Sequence, residues 1–343
     1  MSDKKTIIGS HSAGEKAMVG TAVATLSHAA QLPAAQVELI ERARDYAAGA
    51  KSESTRKSYE GDWTDFTTWC AAQGFDAMPA TPSVVGLFLA DRASVLKPSS
   101  LSRRLAAISV AHRQAGHHLD TRAPQIRDVM TGIRRSKAQA GVVTAKKTAT
   151  VSDDIRAMVG TLAESAIGTR DRALLLLGFA GAFRRSELVA LDAGDVAVRK
   201  EGLAVTIRVS KTDQEGVGRQ VAICYGADPA TCPVRAVKAW LARVGSDGPL
   251  FRSVNKGGAI GTERLSDKAV VLVVKRTAEA AGLDPAAYAG HSLRSGFATT
   301  AARNGASEAA IMRQTGHRSV QVVRGYIREG GLFNDTAAAK LGL

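Results

Sequence analysis

The sequence predicts a mainly α-helical protein carrying one small antiparallel sheet, an α+β fold in two domains. Three observations predict it. Apolar residues recur at helical spacing through most of the 343 residues, the alternation of a strand appears over one short stretch, and at roughly 150 residues per domain the length suits two cores. No apolar run is long enough to span a bilayer, so no membrane partner is expected.

In chain order, residues 1–34 are small and polar without a period and read as a flexible arm. Helical stripes follow over 37–48, 55–72, 83–95, 101–115 and 124–138, punctuated by Gly74, Thr81 with Pro82, Pro98 and Gly116, which makes 35–138 an all-helical DNA-binding candidate. Residues 139–150, QAGVVTAKKTAT, carry no stripe and read as a linker, leaving 151–343 as the second domain. Ser152 before two aspartates is expected to cap a helix. Apolar helices are expected over 171–180 and 184–191. Residues 203–210 alternate as a strand, KTDQEGVG makes a polar turn, and 220–224 returns as its partner. Helices are expected again over 233–243, 265–281, 292–304, 307–314 and 319–327.

Charge narrows the partner. Forty-six basic against 32 acidic residues leave +14, and the stretch from Lys97 to Lys147 alone holds net +9. A localised basic segment without Trp or Phe to anchor it in lipid points to nucleic acid rather than a membrane surface. Three cysteines without a CxxC pair fit a reducing cytoplasm and no structural zinc. No GxxxxGK[ST] phosphate loop is present, which argues against a nucleotide-driven motor.

The chemistry-bearing strings lie in the second domain. GAFRRSEL holds Arg184 and Glu187 as R-x-x-E, Lys211 sits at the strand–turn junction, GHSLR holds His291 and Arg294 as H-x-x-R, and TGHRSVQVVRGYIR holds His317 with Tyr326 nine residues on. H-x-x-R alone is weak, and a lone Tyr326 reads first as a core aromatic. In this order and spacing the set resembles the tyrosine recombinase and phage integrase family, the Cre-like and Xer-like site-specific recombinases. The resemblance is strong over about 170–330 and architectural before that.

The resemblance implies a helical core-binding domain, a catalytic domain with a C-terminal tail helix, and DNA recombination or integration by strand cleavage through a 3′-phosphotyrosyl intermediate on Tyr326. Attack of a phenolic oxygen on a phosphodiester builds charge on two non-bridging oxygens. With no carboxylate cluster for metals in the sequence, Arg184 and Arg294 are the expected stabilisers, each contributing about 3 kcal/mol. No metal and no cofactor is expected. A phenol with an ordinary pKa of about 10 needs positive charge or a base, and His291 is the candidate. The family pattern gives His317 to the phosphate and Lys211 to protonation of the departing 5′ oxygen. Glu187 orients the cations or makes a plain helix ion pair.

For DNA, Leu101, Leu105 and Ile108 share one stripe and leave Ser99, Ser100, Arg103 and Arg104 toward another face, suited to a major groove. Lys146 and Lys147 would join two halves of a clamp. By the resemblance, Lys268 takes the place of a groove-reading arginine, the substrate is duplex DNA with inverted-repeat sites, and a homo-tetramer forms on paired sites. The tail could instead pack on its own subunit. A type IB topoisomerase-like activity and a non-catalytic DNA-binding regulator on the same fold stay open alternatives.

Overall fold

In the computed structural model, the described residues are 33–141, 149, 151–208, 218–317 and 319–330. The arm up to residue 32, Lys146 and Lys147, the turn with Lys211, and the tail beyond Gly330 lie outside them. The chain divides into two compact units, Met1–Ala145 and Lys146–Leu343. Among the described residues no helix is long and apolar enough to cross a membrane.

The first unit is helical: α1 (Ala34–Gly49), α2 (Glu53–Gln73), α3 (Pro82–Arg92), α4 (Pro98–Gln114) and α5 (Pro124–Gln139). Their bounds follow local chemistry. The Ser52 hydroxyl accepts the Thr55 N–H ahead of α2, and Gly74 ends that helix at φ 73°. Thr81 caps α3 in the same way, and α3, α4 and α5 each carry proline in the first turn, where a missing N–H costs nothing. The core is aromatic at its centre. Phe66 and Phe88 pack edge to face with centroids 5.1 Å apart, and Trp69 lies 5.5 Å from Phe88.

The basic face expected of α4 is modified by its neighbours. Asp62 on α2, whose side chain is 3% exposed, accepts both Nε and Nη2 of Arg103 at 2.7 and 3.0 Å. Arg104 donates to Asp65 at 2.8 Å, also lies 3.3 Å from Asp62, and is only 15% exposed. Arg104 therefore spends most of its side chain on the ion-pair network. The physical reason is that a buried Asp62 left without cations would cost several kcal/mol. Ser99 and the outer half of Arg103 stay accessible, while Ser100 is half-buried.

The second unit runs α6 (Ser152–Gly160), α7 (Ala166–Ala180), α8 (Arg185–Ala190), β1 (Val196–Arg199), β2 (Gly202–Ile207), β3 (Arg219–Cys224), α9 (Pro233–Val244), β4 (Arg252–Val254), β5 (Ile260–Arg264), α10 (Asp267–Ala280), α11 (Ser292–Arg303), α12 (Glu308–Thr315) and α13 (Val320–Gly330). Ser152 is the first helical residue and not the cap. The Asp154 carboxylate takes the Val151 N–H at 3.1 Å, so an acid one turn in does the capping. The same carboxylate accepts the Tyr288 hydroxyl at 3.1 Å, and burial followed by that bond pushes the Tyr288 phenol up to about 12.

Helix α7 begins earlier than its apolar run suggests, because the Ser165 hydroxyl caps it through the Gly168 N–H at 3.1 Å. Strands β1, β2 and β3 form one antiparallel sheet in that order, with Leu203 opposite Ile223 and Val205 opposite Val221. These four side chains face inward onto α7, α9 and α10, which supply Leu174, Leu177, Trp240 and Val274 to the same core. A second hairpin, β4 with β5, was not expected from the sequence.

Candidate active site

The turn between α7 and α8 builds one wall of the site. Gly181 gives way to the Phe183 ring, since a Cβ there would stand 2.2 Å from the ring edge. Ala182 then takes φ 51°, a left-handed conformation that costs a non-glycine residue of order 1 kcal/mol and is kept where surroundings enforce it. The enforcement is visible. The Ala182 carbonyl accepts Arg294 Nη1 at 2.7 Å, and Arg294, on the first turn of α11, is 3% exposed. Its other terminal nitrogen, Nη2, is buried and has no hydrogen-bond partner among the described residues.

Arg184 precedes α8. Its N–H donates to Glu187 Oε2 at 3.0 Å and its Nη1 to Glu187 Oε1 at 2.5 Å, closing a box around the helix start. The Glu187 side chain is 1% exposed and also lies 3.5 Å from Nη2 of Arg219 on β3. It thus serves two cations, more than a plain helix ion pair. Three guanidiniums face this one carboxylate. Burial, then repulsion from Arg184, lowers Arg294 to about 10, and burial likewise lowers Arg219. The surplus of positive charge suits an anion such as a phosphodiester.

His317 lies just beyond α12, after Gly316, which ends that helix at φ 65°. Its ring Nδ1 is 2.8 Å from the Thr315 hydroxyl. Burial first, then the charges of Arg294, Arg184, His291 and Arg219, hold its pKa down to about 4, so the ring is neutral near pH 7. Tyr326 on α13 packs against Ala298, Ile311 and Val323, its ring centroid 6.0 Å from that of His317. His291 is exposed at the start of α11, and Gly290 before it presses on the Arg185 stem, where a Cβ would stand 1.8 Å from Cδ.

The structure therefore brings Arg184, Glu187, His291, Arg294, His317 and Tyr326 to one place. Lys211, Lys146 and Lys147 lie outside the described residues. Lys268 is exposed on the first turn of α10, whereas Ser99, Ser100, Arg103 and Arg104 belong to the first unit. Sequence reading missed Arg219. Its Nη1 donates to the Gln314 carbonyl at 3.0 Å, so one guanidinium ties Glu187 to the end of α12. No motif announces it; its only signal is a lone arginine opening a strand that otherwise alternates.

Gly316 matters to the same contact, since a Cβ there would stand 2.9 Å from Arg219 Nε. Replacing Gly316 by Ala is expected to cost about 1–2 kcal/mol by thermal unfolding, from the left-handed backbone and the displaced guanidinium together. An unchanged melting temperature would disprove the contact.

Residues 149–330 match the model of the phage integrase family. An integrase/recombinase XerD homologue of Selenomonas ruminantium is 39% identical over 298 residues, covering 85% of this chain and 86% of the relative. The Cre recombinase of Escherichia phage P1 is 26% identical over 311 residues, covering 84% and 87%. Among solved structures, the XerH site-specific recombinase on palindromic difH substrate, post-cleavage, superposes with TM-score 0.65 at 16% identity over 95% of this chain and 94% of its own. A lambda integrase tetramer bound to a Holliday junction gives 0.56 at 16% over 86% and 78%. The folds agree, and the identity and coverage carry the rest: the chain belongs to the phage integrase family, the tyrosine recombinases.

Proposed function

We propose that the protein is a site-specific recombinase that cuts and rejoins duplex DNA through Tyr326. The observation that carries this reading is a half-buried tyrosine beside a neutral histidine and a buried arginine whose Nη2 is unsatisfied. A buried guanidinium N–H without an acceptor is costly, and a phosphate oxygen supplies that acceptor.

In the proposed reaction, the Tyr326 phenol gives its proton to His291 and the phenolate attacks phosphorus in line. Arg184 and Arg294 hold the two non-bridging oxygens, with Glu187 fixing Arg184. His317 donates to a non-bridging oxygen. Lys211 protonates the departing 5′ oxygen, leaving a 3′-phosphotyrosyl bond and a free 5′-hydroxyl. The partner strand's hydroxyl then attacks that bond, releasing Tyr326. The energy of the phosphodiester is conserved in the phosphotyrosine. Ser99, Ser100, Arg103, Arg104, Lys146, Lys147 and Lys268 are the proposed contacts to duplex DNA. Four copies act on two sites built of inverted repeats, in keeping with the tetramer of the lambda integrase relative.

The test is a nicked duplex carrying an inverted repeat from the DNA flanking the gene, cut so that the 5′-hydroxyl fragment diffuses away. A covalent protein–DNA adduct is expected, mapping by peptide digestion to the segment that contains Tyr326. An adduct at another residue would overturn the assignment of the nucleophile.

A further inference from the structure

The protons around His317 can be counted. The Thr315 hydroxyl, fully buried, donates to the Ile311 carbonyl at 2.7 Å, with the Met312 carbonyl a longer 3.4 Å away. A hydroxyl has one proton to give, and a carbonyl only accepts. With that proton committed, Thr315 Oγ1 offers His317 Nδ1, at 2.8 Å, nothing but a lone pair. The hydrogen between them must then belong to the ring. The opposite arrangement, with Nδ1 bare, would take the hydroxyl proton away from Ile311 and leave the buried set one hydrogen bond short.

We propose that Thr315 is a positioning residue that locks neutral His317 with its proton on Nδ1, so that the ring can donate to a bound phosphate only after Nε2 takes up a second proton. This rests on the proposed function, in which the phosphate lies beside His317. Among the described residues, the charged and titratable groups around the ring are Arg294, Arg184, His291 and Arg219, with Tyr326 next to it and the Glu187 carboxylate paired to Arg184 and Arg219. In the free protein the three guanidiniums oppose a second proton. A phosphodiester sets one negative charge against this surplus and offers the ring an acceptor, which favours a proton on Nε2 when DNA docks. The neutral ring, by contrast, presents Nε2 as a bare acceptor.

The lock is read directly by nitrogen-15 resonances of histidine side chains in the full-length protein near pH 7, with His317→Asn used to assign the signal. The expected pattern is a protonated Nδ1 and a bare Nε2 in the wild type. Thr315→Val, which removes the hydroxyl at nearly constant volume, should give a mixed or reversed tautomer. Thr315→Ser should restore the original one, which a merely structural role for Thr315 would not require. A wild-type ring protonated on Nε2, or a Thr315→Val ring identical to the wild type, overturns the proposal. Adduct formation on nicked DNA by the wild type is scored separately, so loss of the recombinase reading and loss of the lock give different results.

Discussion

Tyr326→Phe is expected to abolish the covalent protein–DNA adduct and every recombinant product while leaving DNA affinity and thermal stability nearly unchanged. The argument rests on what the ring does structurally. It packs against Ala298, Ile311 and Val323 on α11, α12 and α13, contacts that phenylalanine keeps. Removing one hydroxyl from a half-buried site changes stability by no more than about 1 kcal/mol. Chemistry has no such tolerance, because the oxygen lost is the one that becomes bonded to phosphorus. Among the described residues, His317 is held by Thr315, and Arg184 and Arg294 are cations, so none of these three replaces the lost nucleophile. Band shift and a cleavage gel on the same DNA separate the two effects. Residual adduct with the variant would move the nucleophile elsewhere. Loss of affinity in step with cleavage would mean that the phenol binds DNA without attacking it.

Much of this arrangement could be read from residue order, and the parts that could not share a cause. The helices were legible because their apolar stripes are long and are punctuated by Gly74, Thr81 with Pro82, and Pro98. The β2–β3 hairpin was legible because Leu203, Val205 and Ile207 all face one core. Strand β1 was not, since of its four residues only Val196 is buried and alternation never develops. Strands β4 and β5 are short and largely exposed, so burial imposes no pattern on them either. In the site, the residues with fixed spacing stood out, whereas Arg219 meets Glu187 and the Gln314 carbonyl across long stretches of chain. The inward turn of Arg104 has the same origin: its partners Asp62 and Asp65 sit on a helix about forty residues earlier. Periodicity reports which face a residue occupies, but not which distant charge captures it.

Arg294→Met should slow cleavage by roughly 100- to 1,000-fold, equivalent to about 3–4 kcal/mol of transition-state stabilisation, without lowering the melting temperature by more than a few degrees. The first part follows from geometry. Arg294 is held at the Ala182 carbonyl by Nη1, leaving Nη2 to meet developing charge on a phosphate oxygen, and methionine offers no donor. The second follows from electrostatics. Burial and the nearby Arg184 lower the Arg294 pKa to about 10, well below the ordinary arginine value. For a base whose pKa falls on folding, the unfolded chain binds the proton more tightly. The charged form therefore weakens the fold throughout the range below pH 10, and that penalty is relieved only as pH rises above about 10 toward the ordinary arginine value. An apolar side chain of similar length removes the penalty, loses one hydrogen bond to Ala182, and keeps much of the packing, so the terms nearly cancel. Its stability should also lose the rise above pH 10 that Arg294 contributes to the wild type. A variant that unfolds readily at pH 7 would show that the guanidinium holds the fold together. One that melts like the wild type but cleaves hundreds of times more slowly would show that the fold tolerates a strained, positively charged pocket because the reaction uses it.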